Sequence, residues 1–231
     1  MHIELREESE LQSRIETLVP EAKLIWQNVP GTALEGYLVE ELSACEPLSA
    51  RSTELVMEAP PFWSLLWPSG NHLCRMMGEG FELLRGRTCV DLGCGSGLVS
   101  TAAARAGAGV LAVDSDPLSQ MVTSLNLARN RADCRIADSW LEGRCDTLLL
   151  ADFLYDDSNI EALGEFCARC GEILVVDSRL KQLDMTGFEL LGDFEGRAVP
   201  DLDPHREFGC LKAWYWGERP EEWRHALGQT C

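Results

Sequence analysis

Gly93, Gly95 and Gly97 stand at alternate positions, after a short apolar run that ends in Asp91-Leu92 and before an alanine-rich segment of helical character. Glycine accepts tight turns and lets the backbone approach a bulky ligand. The helix that follows offers its unbonded N–H groups at the same place. A strand, a Gly-rich turn and a helix in this order open a nucleotide-type binding site. The spacing is Gly-x-Gly-x-Gly with Asp91 just upstream, and it departs from the dinucleotide pattern Gly-x-Gly-x-x-Gly. The next apolar run ends in Asp114, about 20 residues beyond the glycines, where a carboxylate can accept hydrogen bonds from both ribose hydroxyls of a nucleoside.

Two further segments offer chemistry at strand ends. In Asp138-Ser139-Trp140, Asp138 can accept from an adenine amino group and Trp140 can stack on the base. The plainer reading is a helix cap and a core tryptophan. In Ala151-Asp152-Phe153-Leu154-Tyr155, Ala151 is small enough for a ligand to lie close. Asp152 can accept from a substrate amine, and Tyr155 adds an aromatic wall and a hydroxyl. A capping Asp and a packing Tyr are the plainer alternative. Strand ends on one side of an open α/β sheet converge on the ligand crevice, which favours the functional reading. The run Pro-Pro-Phe-Trp-Ser-Leu-Leu-Trp-Pro-Ser-Gly at 60–70 reads equally as core or as a lid carrying Trp67.

These residues need a scaffold. From residue 86 strand-like and helix-like segments alternate: strands at 88–92, 110–114, 134–137, 147–151 and 172–176, and helices at 98–106, 118–129 and 159–168, the last with Ser158 as N-cap. The runs 147–151 and 172–176 are continuously apolar, as in strands buried on both faces. Alternation of this kind predicts an α/β, Rossmann-like fold with a mostly parallel sheet covered by helices on both faces. Two more strands, at about 188–195 and 210–216, bring the expected sheet to seven, with an antiparallel strand at its edge. Residues 1–59 read as an N-terminal extension: a helix at 6–18 stopped by Pro20, short strands, a strand pair or loop over 22–42 broken at Pro30-Gly31, and a loop followed by a short helix at 43–59. Residues 60–231 read as the main domain.

Composition narrows the partners. The 231 residues carry a net charge of −18, so a nucleic-acid backbone is a poor partner, and a basic protein or a small molecule is a better one. No run of 18 apolar residues is present, so no membrane span is expected. The N-terminus lacks a signal-peptide core, and a cytoplasmic setting with reduced thiols is expected despite ten cysteines. Cys167-x-x-Cys170 has no second pair at zinc-finger spacing. The histidines at 2, 72, 205 and 225 are scattered. Neither group predicts a metal site.

Taken in order, the 60–70 run, Asp-Leu-Gly-Cys-Gly-Ser-Gly-Leu-Val, Asp-Ser-Asp-Pro and Ala-Asp-Phe-Leu-Tyr resemble the Asp-x-x-Tyr family of class I S-adenosylmethionine (SAM) methyltransferases. Most members of that family modify protein lysines. Within it the chain looks most like the electron transfer flavoprotein β-subunit lysine methyltransferases and their bacterial relatives. The resemblance implies SAM as cofactor and a lysine side chain of a protein as acceptor, with a small amine as the alternative. A third possibility is a SAM-binding regulator without catalysis, against which Asp152 and Tyr155 argue. The resemblance further implies that Trp67 lines the methionine side, that Asp91, Gly93, Gly95 and Gly97 shape the loop, and that Asp114 holds the ribose. Asp138 and Trp140 would meet the adenine, and Ala151, Asp152 and Tyr155 would face the transfer site. One departure is Asp177-Ser178-Arg179-Leu180-Lys181, where the family often has a Gly-rich or Pro-containing loop.

Overall fold

Ahead of the glycine turn the chain forms α1 (His2–Leu18), an antiparallel pair β1 (Leu24–Asn28) and β2 (Glu35–Val39), α2 (Ala50–Glu58), a 3₁₀ turn at Phe62–Ser64 and α3 (Pro68–Met76). This is a computed structural model, and it describes residues 2–20, 22–41, 48–78, 80–201 and 209–228. Then follow β3 (Thr88–Leu92), α4 (Leu98–Arg105), β4 (Gly109–Val113), α5 (Pro117–Arg129), β5 (Arg135–Ala137), β6 (Cys145–Ala151), α6 (Asp157–Glu161), α7 (Leu163–Cys167), β7 (Cys170–Asp177), β8 (Glu189–Glu195), β9 (Cys210–Trp216) and α8 (Pro220–Gly228).

Strands β3 to β9 make one seven-stranded sheet in the order β5-β4-β3-β6-β7-β9-β8. Pairing is parallel from β5 through β7. The period-2 geometry of a strand explains the continuous apolar runs. Leu148 and Leu150 of β6 and Ile173 and Val175 of β7 face one apolar cluster, with Leu163 and Phe166 of α7. Leu149, Leu174 and Val176 face the other, with Leu73 of α3, Leu98 of α4 and Trp223 of α8. Both faces are therefore covered by helices.

The structure corrects four expectations. The antiparallel strand is β9, which inserts between β7 and β8, so it lies one place in from the edge. Two consecutive antiparallel candidates do not reveal which of them takes the inner place. The helix expected at 159–168 is interrupted at Ala162, where bonds of the i→i+3 type, such as Glu165 N–H to Ala162 O at 3.0 Å, tighten the turns. Its N-cap is Asp156, whose carboxylate accepts the Ser158 N–H at 2.9 Å, so Ser158 is not the cap. Helix α1 also begins at His2, earlier than expected.

The N-terminal segment packs on the sheet's helices. Leu11 and Ile15 of α1 share one cluster with Leu24, Tyr37, Trp63 and with Val122 and Leu125 of α5. Two buried asparagines, one within α5 and one at its C-cap, hold it there. Asn126 Oδ1 accepts the Tyr37 N–H at 2.8 Å while its amide donates to Ser96 O at 2.8 Å. Asn130 takes the Glu35 N–H at 2.9 Å. Every polar group involved is paired, as burial demands.

At the opposite end of the sheet from the glycine turn, Glu172 is 2% exposed. Thr147 Oγ1 donates to it at 2.7 Å, Tyr215 OH at 2.8 Å and Arg219 Nη2 at 2.6 Å, with Arg87 3.4 Å away. Burial pushes the carboxyl up, but the bonds from Arg219, Thr147 and Tyr215 outweigh it, and the acid stays below its usual range. This network joins β6, β7 and β9.

Candidate functional site

A cavity of about 350 Å³ opens where the carboxyl ends of β3, β4, β5 and β6 meet. The size lies within the usual range for small-ligand sites. Leu92, Gly93 and Gly95 form its floor, and Asp114, Asp116 and Ser119 one side. Asp138, Ser139 and Trp140 close one end, and Ala151, Asp152, Phe153 and Tyr155 the other, with Phe62, Trp67 and Arg179 above them.

The floor is shaped by the glycines. Gly93 has φ +75°, and a Cβ there would stand 2.5 Å from Phe153 Cδ2. Gly97, at φ +70°, precedes α4, and its Cβ would strike Thr123 Oγ1 at 2.3 Å. Gly95 is different. With φ +53°, its Cβ position meets nothing nearer than Phe62 O at 3.7 Å, so that side of the loop is open to a ligand. The loop is pinned from the neighbouring strand. Gly95 N–H donates to Asp114 Oδ2 at 2.9 Å, and Asp116 N–H donates to Asp114 Oδ1 at 3.0 Å. Burial raises the Asp114 carboxyl, and these N–H groups offset part of the rise. The Ser119 side chain also bonds to this carboxylate, which keeps acceptor capacity for a ligand hydroxyl.

At the far end Asp152 sits in the left-handed region, φ +51°. Its two oxygens accept backbone N–H groups from Ser69 at 2.9 Å and Ser178 at 2.8 Å. Burial raises its carboxyl too. The acid thus clamps the start of α3 to the turn after β7 while still lining the cavity. Trp67 Nε1 donates to Phe62 O at 3.0 Å, and the Phe62 ring lies 5.7 Å from Trp67 and 5.6 Å from Tyr155. The Arg179 guanidinium lies 5.1 Å from the Trp67 ring centre and 5.7 Å from that of Tyr155. At the other end, Arg169 caps the Trp140 ring at 3.7 Å. Tyr155 is 53% exposed, so this end is reached from outside.

Nine of the eleven residues singled out from sequence meet in this cavity or line it: Trp67, Gly93, Gly95, Asp114, Asp138, Trp140, Ala151, Asp152 and Tyr155. Asp91 and Gly97 do not line it. Asp91 is buried beneath the loop, accepts the Ser100 hydroxyl at 2.6 Å and is pushed up to about 6 by burial. Gly97 serves the bend into α4. Sequence reasoning missed Phe62, Asp116, Ser119, Phe153, Asn159 and Arg179 as lining residues. Phe62 stood inside the 60–70 run and Arg179 inside the departing 177–181 segment, which were the available signals. His72 is buried against Phe194, and His205 lies outside the described residues. Among the described residues no group of three or more His, Cys, Asp or Glu is arranged to hold a metal ion, and no helix is long and apolar enough to cross a membrane.

A family model for ribosomal protein L11 methyltransferase (PrmA) matches residues 72–151. The chain is 32% identical over 172 residues to the electron transfer flavoprotein beta subunit lysine methyltransferase of Danio rerio, covering 68% of this chain and 65% of that protein. Against the Homo sapiens protein of the same description it is 29% identical over 123 residues, covering 51% and 47%. The chain thus spans about half to two thirds of the length of these relatives. Among solved structures, a putative SAM-dependent methyltransferase from Streptococcus mutans superposes with a TM-score of 0.50 at 13% identity, over 64% of this chain and 48% of that one. That likeness concerns the fold.

Proposed function

We propose that this chain is a SAM-dependent methyltransferase that modifies a lysine side chain of a protein. The observation that carries the reading is the convergence, on one cavity, of a pinned glycine loop, an acid at the second strand end and the Asp152–Tyr155 wall. The similarity to lysine and ribosomal-protein methyltransferases supports the same activity.

The residues fit the cofactor. The space above Gly95 admits a ligand, Asp114 has lone pairs for ribose hydroxyls, and Asp138 and Trp140 suit a purine. When bound, SAM supplies a methyl group on a sulfonium, ready for displacement. The protein's part is alignment, which contributes roughly 7–11 kcal/mol in the best intramolecular cases. Asp152, held by two backbone N–H groups with the Ser178 side chain beside it, keeps acceptor capacity for an acceptor N–H. Phe62, Trp67 and Tyr155 replace water around the acceptor and disfavour its charged form through desolvation. The exposed Tyr155 edge suits a side chain arriving on a macromolecule.

The test is incubation of the protein with labelled SAM and a cell lysate. Mass spectrometry then finds methyl groups on lysine ε-nitrogens of a protein. Label confined to small amines overturns the lysine reading in favour of a small-molecule N-methyltransferase, and no transferred label overturns catalysis itself.

A further inference from the structure

We propose that Arg179 is the residue that binds the amino-acid carboxylate of the cofactor, a role that rests on the methyltransferase reading. The cavity has a direction. Asp138 and Trp140 follow β5 at one end, Asp114 follows β4, and Ala151, Asp152 and Tyr155 follow β6 at the other. A nucleoside with its base at the Trp140 end and its ribose at Asp114 sends its 5′ substituent across the glycine loop toward β6. In SAM that substituent is an amino acid joined through a sulfonium, so it brings two positive charges and one carboxylate.

The charges of the wall are unequal. Asp114, Asp116, Asp138 and Asp152 line the cavity, and Arg179 is the one basic residue among the described residues that do so. It stands at the β6 end, with its guanidinium against Trp67 and Tyr155. The four acids suit the sulfonium and ammonium and oppose the carboxylate. A guanidinium answers a carboxylate with two parallel N–H bonds, a geometry that lysine cannot supply. The base of this residue is already ordered. Arg179 N–H and Leu180 N–H both donate to Asp177 Oδ1 at 2.8 Å, and Ser178 N–H donates to Asp152. The side chain reaches the carboxylate from its place beside the Trp67 and Tyr155 rings. Arg179 lies in the segment that departs from the expected loop, which makes this a property of the chain's own residues.

The experiment is titration calorimetry with three probes: SAM, decarboxylated SAM and 5′-methylthioadenosine. Arg179→Gln weakens SAM at least ten-fold, while decarboxylated SAM and methylthioadenosine bind wild type and variant within two-fold of each other. Arg179→Lys falls between wild type and Arg179→Gln for SAM. Unchanged methylthioadenosine binding shows that the variant cavity is folded. Equal loss for SAM and decarboxylated SAM, or loss for neither, overturns the assignment. A wild-type protein that binds methylthioadenosine and SAM equally overturns it too. If wild type binds none of the three probes, the methyltransferase reading fails along with it.

Discussion

Ser69 donates its backbone N–H to Asp152 Oδ2 at 2.9 Å, joining two segments 83 residues apart. With the Ser178 N–H on Oδ1, the acid holds three pieces of the cavity wall in register. Asp152→Asn keeps the size and tolerates the left-handed backbone, but its amide nitrogen must face one of two N–H groups. One bond is lost and one donor is stranded, which costs about 1–3 kcal/mol. We expect a lower denaturation midpoint, SAM affinity within a few fold of wild type, and strongly reduced turnover. Unchanged stability would remove the clamp, and turnover near wild type would reduce Asp152 to a structural residue.

Asp114→Ala removes the acceptor for Gly95 N–H and Asp116 N–H and, on the proposed reading, two ribose contacts. Hydrogen bonds to a charged group contribute about 1.5–3 kcal/mol each, so SAM affinity measured by calorimetry should drop by at least ten-fold. A folded variant with wild-type affinity sinks the ribose assignment.

The three loop glycines should separate by experiment. Alanine at 93 or 97 meets Phe153 or Thr123 inside 3 Å at positive φ, and such strain and overpacking cost about 1–3 kcal/mol each. Alanine at 95 has room in the protein itself, so its stability cost is the backbone strain alone, and its larger effect falls on SAM binding. Urea denaturation and calorimetry on the three variants distinguish these cases. Equal stability losses at all three positions contradict the open side at Gly95.

The folded-state value of Asp91, raised to about 6 by burial, lies above its unfolded value. Such a group favours the fold fully below the unfolded pKa, and that favour is lost as pH rises through the folded one. Between pH 4 and 7, wild type should therefore lose stability relative to Asp91→Asn, by an amount on the order of 3 kcal/mol at about 1.4 kcal/mol per pH unit. Denaturation of both proteins across that range measures it, and a difference that stays flat from pH 4 to 7 contradicts the buried, proton-binding acid.

The charge of −18 predicts a salt effect. Complementary charge speeds encounter with a basic partner, and salt screens it. Initial rates on a protein acceptor should fall as ionic strength rises, chiefly through KM, and a rate independent of salt argues against a basic protein partner.

The parts of the site legible in sequence are those whose geometry is local. The glycine turn, the acid at each strand end and the continuous apolar runs of β6 and β7 act within a few residues. What stayed hidden depends on distant partners. Asn126 joins Ser96 to Tyr37 across 30 and 89 residues, and a lone Asn within a helix gives no sign of that. Arg179 reaches the cavity only because the turn after β7 is anchored on Asp177 and Asp152. Asp91 reads as part of the motif, yet its partner is Ser100 on the next helix, away from the cavity wall.

The insertion of β9 between β7 and β8 has a consequence for synthesis. Among the described residues strand β8 pairs only with β9, and β9 emerges from the ribosome after it. Until residues 210–216 are released, β8 has no place in the sheet and β7 presents an unpaired edge. The glycine loop and the parallel strands around it can form while the chain is still growing, but the far side of the sheet closes only afterwards. An open strand edge of this kind is prone to intermolecular pairing. Nascent chains stalled before residue 210 should therefore aggregate even though every residue lining the cavity has already been made.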